Sequence, residues 1–346
     1  MRTTAPIISI IIPCYNVPEE YIRRALDSIM AQTFTDYEII VVDDGSSDEY
    51  HEALERCASA YDRVRLITTP NNGVSTARNI GVEHALGEYI AFVDADDYVS
   101  KYYLEEAYEA VQRTDADFVI GGTRTFKEFG EVFPDAKIEN ADYIVYRGEE
   151  VRSLFCNLGC LRQTIRFGNA YVGRGPVSRL LKKTIAELVP FYKELIVGED
   201  LVWNLEVLSH CNCVCIVKNQ WYWYWHNPNS ALHRNNPEMC NEIIKAIDKI
   251  APLMNMEDDK EYLTFLYLIV DSIQTIRSSI LQYTNSSNTE QTSQIKKAIY
   301  TEYPWIKIME RRFFRICPPK YKVMSLFYRF HLLLLYWDIR ERLAQK

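Results

Sequence analysis

Apolar residues come in two rhythms along this chain. Over the first third they form short solid runs, "IISIIIP", "EIIVVDD", "VRLITT", "YIAFVDADD" and "DFVIGG". Runs without alternation fit strands buried on both faces. The stretches between them, which begin near Glu19, Ser47, Val74 and Lys101, read as helices. Strands and helices in strict turn predict an α/β fold, a mostly parallel sheet with helices on both faces. In such sheets ligands bind beyond the carboxyl ends of the strands. Three of the predicted ends are polar: "PCYN", "DDGSSD" and "DADD". From about Thr125 to Asn235 the rhythm breaks into "GRGPVSRLLKK", "LIVGEDLVWNLEVLSHC" and the aromatic "QWYWYWHNPNSALHR". Beyond Asn236 the second rhythm takes over. Spacings of three and four in "EMCNEIIKAIDKIAPL" and "EYLTFLYLIVDSIQTIRSSILQ" predict helices, with the polar linker "TNSSNTEQTSQ" breaking the run at 284–294.

Composition sharpens this only locally. A chain of 346 residues exceeds the size of one core, so more than one lobe is expected. A net charge of −8 argues against a general nucleic-acid binder, yet residues 303–346 hold ten Lys/Arg against three Asp/Glu. Nine cysteines lie without CxxC pairs, which does not suit a secreted disulfide scaffold. Cys211, Cys213 and Cys215 beside His210 raise the question of zinc. Ligand spacing is wrong for it, and alternation is also what a half-buried strand shows. The opening "MRTTAPIISIIIP" is too short an apolar run for a signal peptide or spanning helix, so a reducing cytoplasm is expected.

The acids pose the chemical question. Asp94, Asp96 and Asp97 crowd the end of a buried run. A polar turn would account for them. So would a divalent cation, since Mg²⁺ binds through one or two carboxylates plus substrate phosphates. "DDGSSD" supplies Asp43, Asp44 and a Gly45 turn, with Ser46 or Ser47 placed to cap a helix that has Asp48 in its first turn. No GxGxxG and no GxxxxGK[ST] is present.

Taken in order, "ISIIIPCYNVPEEYIRRALDSIMAQTFTDYEIIVVDDGSSD", "NNGVSTARNIG" and "GEYIAFVDADD" closely resemble the family 2 inverting glycosyltransferases of bacterial polysaccharide assembly. The likeness is strong over residues 6–125, moderate to the "WYWYWHNPNS" region and weak beyond about 240. It implies a GT-A fold, a Rossmann-like sheet flanked by helices, with a helical C-terminal extension. Residues 1–125 would bind the nucleotide sugar, 126–235 would form the acceptor-binding and catalytic half, and 236–346 a helical C-terminal region, with membrane association and packing on its own domain both open. By the resemblance, Pro13, Tyr15 and Asn16 would line the nucleotide pocket, and Asp43 would accept from the base, most simply the N3–H of uracil. Arg78 would neighbour the diphosphate. Asp94-Ala95-Asp96 matches the DxD motif, Asp94 towards the ribose and Asp96 on Mg²⁺ or Mn²⁺, with Asp94 and His226 completing the metal's candidate ligands. The role of Asp97 stays open.

Glu199-Asp200 resembles the family's ED motif. Asp200 would be the general base that takes the acceptor's proton, and Glu199 would orient the acceptor. The bland reading is a helix cap before "LVWNLEVL". His226, Ser230 and His233 follow an aromatic strand where related enzymes place groups near the diphosphate. Trp203, Trp221 and Trp223 suit sugar stacking, though core packing accounts for most such residues.

The expected activity is therefore transfer of a sugar from a nucleoside-diphosphate donor, a UDP-sugar first, to a glycan or lipid-linked acceptor. Two alternatives stay open: a nucleotidyltransferase, and a catalytically inactive sugar-nucleotide or carbohydrate-binding protein. Nucleic acid is not an expected partner. The tail "KVMSLFYRFHLLLLYWDIRERL" suits either an interfacial helix on anionic lipid at the inner face of the plasma membrane, or a helix packed on its own domain.

Overall fold

A computed structural model describes residues 5–128, 131, 135–137, 142–159, 164–226, 238–285 and 297–332. The chain divides into two compact units, Met1–Glu194 with Glu199–Ser230, and Leu195–Gly198 with Ala231–Lys346.

The first unit opens with the expected alternation: β1 (Ile8–Cys14), α1 (Glu19–Met30), β2 (Tyr37–Asp43), α2 (Asp48–Ser59), β3 (Val64–Thr68), α3 (Val74–His84) and β4 (Tyr89–Phe92). Then come β5 (Tyr98–Val99), α4 (Tyr103–Thr114), β6 (Phe118–Phe126), β7 (Tyr143–Arg147), α5 (Ser153–Gly159), β8 (Arg166–Phe167), β9 (Ala170–Tyr171), β10 (Arg179–Lys182), α6 (Lys183–Leu188), α7 (Glu199–His210) and β11 (Cys213–Trp225). Eleven described strands form one sheet, whose main path runs β3-β2-β1-β4-β10-β6-β11-β5. The first four are parallel, while β10 lies antiparallel between β4 and β6. The stretch after residue 125 thus continues the same sheet. Because β2 and β3 lie on one side of β1 and β4 on the other, strand order reverses at β1, the place where such sheets open a ligand crevice.

The packing follows from the residues. In β1, Ile8, Ile10, Ile11 and Ile12 are buried, and truncating one to Ala would cost roughly 2–5 kcal/mol. Ser9 sits among them at no hydrogen-bond deficit: its hydroxyl donates to Glu38 Oε1 (2.7 Å) and accepts the Gly87 N–H (2.8 Å). Helix α1 buries Ile22, Ala25, Leu26 and Ile29, the stripe of a one-faced helix, and Glu19 and Glu20 favour its positive N-terminus. Helix α3 lies close on β1 because Gly81 carries no side chain; a Cβ there would stand 2.3 Å from Ile11 Cγ2.

The second unit is helical among its described residues. It contains α8 (Met239–Ile250), α9 (Asp259–Asn285), α10 (Arg311–Ile316) and α11 (Pro319–Arg329). Its core includes Ile243 and Ile247 of α8, Phe265, Leu266 and Ile269 of α9, and Trp305, Ile308, Phe313 and Tyr328. No described helix is long and apolar enough to cross a membrane. Ser230, His233 and the residues 333–346 lie outside the described residues.

Candidate active site

Loops after β1, β2 and β3 meet at the reversal point and lock one another. The Asn16 N–H donates to Ser46 Oγ (2.9 Å), and Asn16 Oδ1 accepts the Ser47 N–H (2.9 Å). Asn16 holds φ at 50°, a left-handed conformation that Asn tolerates better than most residues. Gly45, at φ 73°, turns so closely against the next loop that a Cβ would lie 2.5 Å from Asn71 N. Asp44 then accepts the N–H groups of Asn72 (2.9 Å) and Gly73 (2.8 Å), joining the second loop to the third. Ser47 occupies the cap position of α2, but its hydroxyl makes no capping bond.

Two sequence expectations change here. Pro13, in the predicted strand end "PCYN", lies within the first strand, opposite Val42. The paired register of β1 with β4 stops at Ile11–Phe92, so the proline's missing N–H falls beyond the paired stretch. Tyr15 follows, half-exposed at the crevice end of β1. Asp43, expected to present a carboxylate to a base, is fully buried. Its Oδ1 accepts the Ser46 N–H (2.9 Å) and its Oδ2 meets His51 Nδ1 (2.7 Å), so both oxygens serve the loop. His51, about a third exposed, is raised above its ordinary pKa chiefly by this hydrogen bond.

Along "DADD" the side chains alternate. Asp94 and Asp96 are half-buried, whereas Ala95 and Asp97 are buried. Asp97 Oδ1 accepts the Trp225 N–H (2.7 Å), and the Asp94 N–H donates to Tyr222 Oη (3.0 Å). Burial first, then the charges of Asp96 and Asp94, push the Asp97 carboxyl well above the usual range. Asp97 is therefore a strap between this loop and β11, and two carboxylates remain to face a ligand.

The hub is Arg78, 4% exposed on α3. Its Nη1 donates to Asp200 Oδ1 (2.8 Å) and its Nη2 to Asp94 Oδ1 (3.1 Å), tying together residues far apart in sequence. Burial works against its charge, but Asp200, Asp94 and Glu199 outweigh burial and raise its pKa. Next to it, Asn79 grips the Phe191 backbone from both sides, donating to the carbonyl and accepting the N–H at 2.8 Å each. The Phe191 ring lies 5.2 Å from the Arg78 guanidinium and stacks on Trp203 at 4.6 Å.

Glu199 and Asp200 open α7. Burial and the Asp200 charge push Glu199 up to about 8; burial also raises Asp200, against the pull of Arg78. Behind them, Asn204 Nδ2 donates to the carbonyls of Asp200 and Arg174 (2.8 Å each), and the buried Arg179 Nε donates to Asn204 Oδ1 (2.7 Å). Sequence reasoning missed Tyr222, Asn204, Arg179 and Phe191, whose partners lie 25 to 128 positions away. The "RN" of "STARNIG" is the one local signal, and it points to Arg78 with Asn79 beside it.

Trp203, Trp221 and Trp223 are all buried and serve the core. So do Cys211, Cys213 and Cys215, whose thiols burial drives upward. His226 is exposed just after β11, its N–H on the Phe126 carbonyl (2.9 Å). Among the described residues no three His, Cys, Asp or Glu side chains converge to hold a metal, so His226 does not join Asp94 and Asp96 in a preformed set. Asp94 and Asp96 fit a different arrangement. Carboxylate oxygens are the hard donors that Mg²⁺ or Mn²⁺ accepts. Three acids, Asp94, Glu199 and Asp200, share the guanidinium of Arg78 as direct partner or charge neighbour, and Asp200 also feels the charge of Arg179.

Residues 9–172 match the model of "Glycosyl transferase family 2". Over 126 residues, 36% of this chain and 18% of the relative, the sequence is 39% identical to glycosyltransferase GlyA of Streptococcus pneumoniae serotype 4. Over 114 residues, 33% of each protein, it is 44% identical to the uncharacterized glycosyltransferase EpsJ of Bacillus subtilis strain 168. Each match thus spans a third or less of the relative's length. In fold, the chain is similar to S. aureus TarS 1-349 solved in complex with UDP-GlcNAc. The TM-score is 0.56 at 17% identity, covering 98% of this chain and 92% of that one.

Proposed function

The first unit of this chain carries a glycosyl transferase family 2 domain on a GT-A fold, and from that premise we propose that it transfers a sugar, with inversion, from a nucleoside-diphosphate donor to a hydroxyl of a glycan or lipid-linked acceptor. The observation that carries this reading is the Arg78 bridge between Asp94 and Asp200, which brings a metal-competent acid and a base to one place at the strand reversal. Tyr15 and the loop pinned by Asn16 and Asp43 line the nucleotide side. Asp94 and Asp96 would hold Mg²⁺ or Mn²⁺, which supplies charge neutralisation for a leaving diphosphate.

Burial raises both acids of α7, but Arg78 bonds only Asp200, and that difference supports dividing their roles. Glu199, raised to about 8, keeps its proton near neutral pH and offers the acceptor a hydrogen bond. Asp200, held by Arg78, is the carboxylate that receives the acceptor hydroxyl's proton as that oxygen attacks the anomeric carbon. Its backbone is fixed through Asn204 and Arg179, so the base is presented from a rigid support. The UDP-GlcNAc held by the similar S. aureus chain supports testing UDP-sugars first. A lipid-linked acceptor would place the protein at the cytoplasmic face of the plasma membrane.

The test is a panel of UDP-, GDP- and dTDP-sugars assayed for metal-dependent hydrolysis and transfer. One donor is expected to be consumed. Asp200→Asn should lower kcat at least about a hundredfold with donor affinity nearly unchanged, the lower range for losing a general base. Asp96→Ala should abolish transfer and the metal dependence of donor binding. NMR of the first product should show an inverted anomeric centre. Full activity in either variant would remove the corresponding assignment.

A further inference from the structure

Helix α11 is buried along one face, through Tyr321, Met324, Ser325 and Tyr328. On the face opposite, by helical periodicity, stand Val323, Leu326 and Phe330, exposed at 46%, 42% and 71%. Solvent normally meets the polar side of such a helix. Here the outer side is apolar as well. The concentration is local: of eleven large exposed hydrophobic side chains among the described residues, six lie between Tyr303 and Leu332.

Charge gathers on the same segment. Arg311 and Arg315 are exposed on α10, and Lys322 and Arg329 flank the apolar stripe and approach the Phe314 ring at 5.7 and 5.9 Å. None of these four cations has a carboxylate partner among the described residues, although the chain as a whole carries −8. Basic residues beside exposed Leu, Val and Phe on an otherwise acidic protein are complementary to an anionic, apolar-cored surface.

We infer that the outer face of α11 docks the protein onto an anionic lipid bilayer. The stripe from Val323 to Phe330 is only about 10 Å long. That is small beside the roughly 800 Å² each partner gives a stable protein interface. Interfacial insertion, by contrast, needs an apolar face that sinks about 5–10 Å into the headgroup boundary. In sequence the chain goes on from Leu332 as "LLLYW", more apolar residues and then the aromatic pair favoured at lipid–water boundaries. The inference adds a place of action to the proposed transfer and stands whether or not the donor is a nucleotide sugar.

Deleting the helix would remove Tyr321, Met324 and Tyr328 from the core, so the test uses exposed positions only. Full-length protein is co-sedimented with vesicles of phosphatidylcholine alone and of phosphatidylcholine with phosphatidylglycerol, at low and high salt. It is expected to bind the anionic vesicles at low salt and to leave them at high salt. Leu326→Gln with Phe330→Gln, and separately Lys322→Gln with Arg329→Gln, should each weaken binding about tenfold or more. Both variants should keep the wild-type melting temperature and donor hydrolysis. Equal binding by wild type and variants overturns the inference, as does equal binding to both vesicle types. Self-association that Leu326→Gln with Phe330→Gln abolishes, without vesicle binding, overturns it in favour of a second copy of the chain.

Discussion

At the scale of single residues, the crowded acids resolve into different jobs. Asp97 spends its carboxylate on the Trp225 backbone, leaving Asp94 and Asp96 half-open. Arg78 then sets the balance, because one planar fork satisfies two carboxylates at once. Arg78→Lys keeps the charge and loses the fork, so a single ammonium cannot hold both acids in the same geometry. We expect kcat to fall by about 10²–10³ with a modest loss of stability. Arg78→Leu removes the buried cation altogether and should cost roughly 3–5 kcal/mol in a denaturant melt. Activity of Arg78→Lys within about twofold of wild type would count against the bridge. His51 gives a pH signature. Its folded pKa is raised by Asp43, so the stabilisation is complete below the unfolded value of 6.5 and is lost as pH rises through the folded value. The melting-temperature gap between wild type and His51→Gln should thus be widest near about pH 6 and shrink towards about pH 8.5. A gap independent of pH would show that the ring acts by shape alone.

At the scale of elements, the site is a set of loops held by side chains from their neighbours. Asn79 is the clearest case: two reciprocal hydrogen bonds keep the Phe191 backbone, and with it the ring beneath Arg78, in place. Asn79→Ala should destabilise by about 1–3 kcal/mol, since it leaves the Phe191 amide and carbonyl unsatisfied. It should also raise the donor KM, because Phe191 supports the guanidinium; a lower melting temperature with unchanged kinetics would confine Asn79 to the scaffold. Most elements around this site were legible. The runs at Ile8, Tyr37, Val64 and Tyr89 are solid enough to be strands, and helices begin at or within two residues of the expected points. The insertion of β10 between β4 and β6 was not legible, because a four-residue "RLLK" leaves no periodic mark. The inward turn of Asp43 was hidden for a similar reason: its partner His51 sits on the next helix, on a side chain that reads as surface. Local pattern reports burial and period. It does not report which distant hydroxyl or amide completes a loop.

At the scale of the whole molecule, the chain leaves the first unit at Glu194 and returns to it at Glu199. The four residues between them, Leu195–Gly198, belong to the second unit. There Leu195 is buried, the Ile196 N–H donates to Glu242 Oε2 (3.4 Å), and a Cβ on Gly198 would stand 3.1 Å from the Ala246 Cβ of α8. The residue after Gly198 opens the helix that carries the proposed base. A chain ending at residue 235 would retain every proposed catalytic residue and yet strip Leu195–Gly198 of the helix that holds it. We expect that truncation to lower the melting temperature and to reduce kcat by up to about a hundredfold, the scale of an ångström's misplacement of a reacting group. Donor affinity should change less, since Tyr15, Asn16, Asp94 and Asp96 all precede the segment. Gly198→Ala is the milder form of the same perturbation, because the position holds φ at 81° and has little room for a Cβ. Its effect on kcat should have the same sign and be smaller. A truncated chain with wild-type kcat and melting temperature would show instead that α7 keeps its start, and Asp200 its aim, without the second unit.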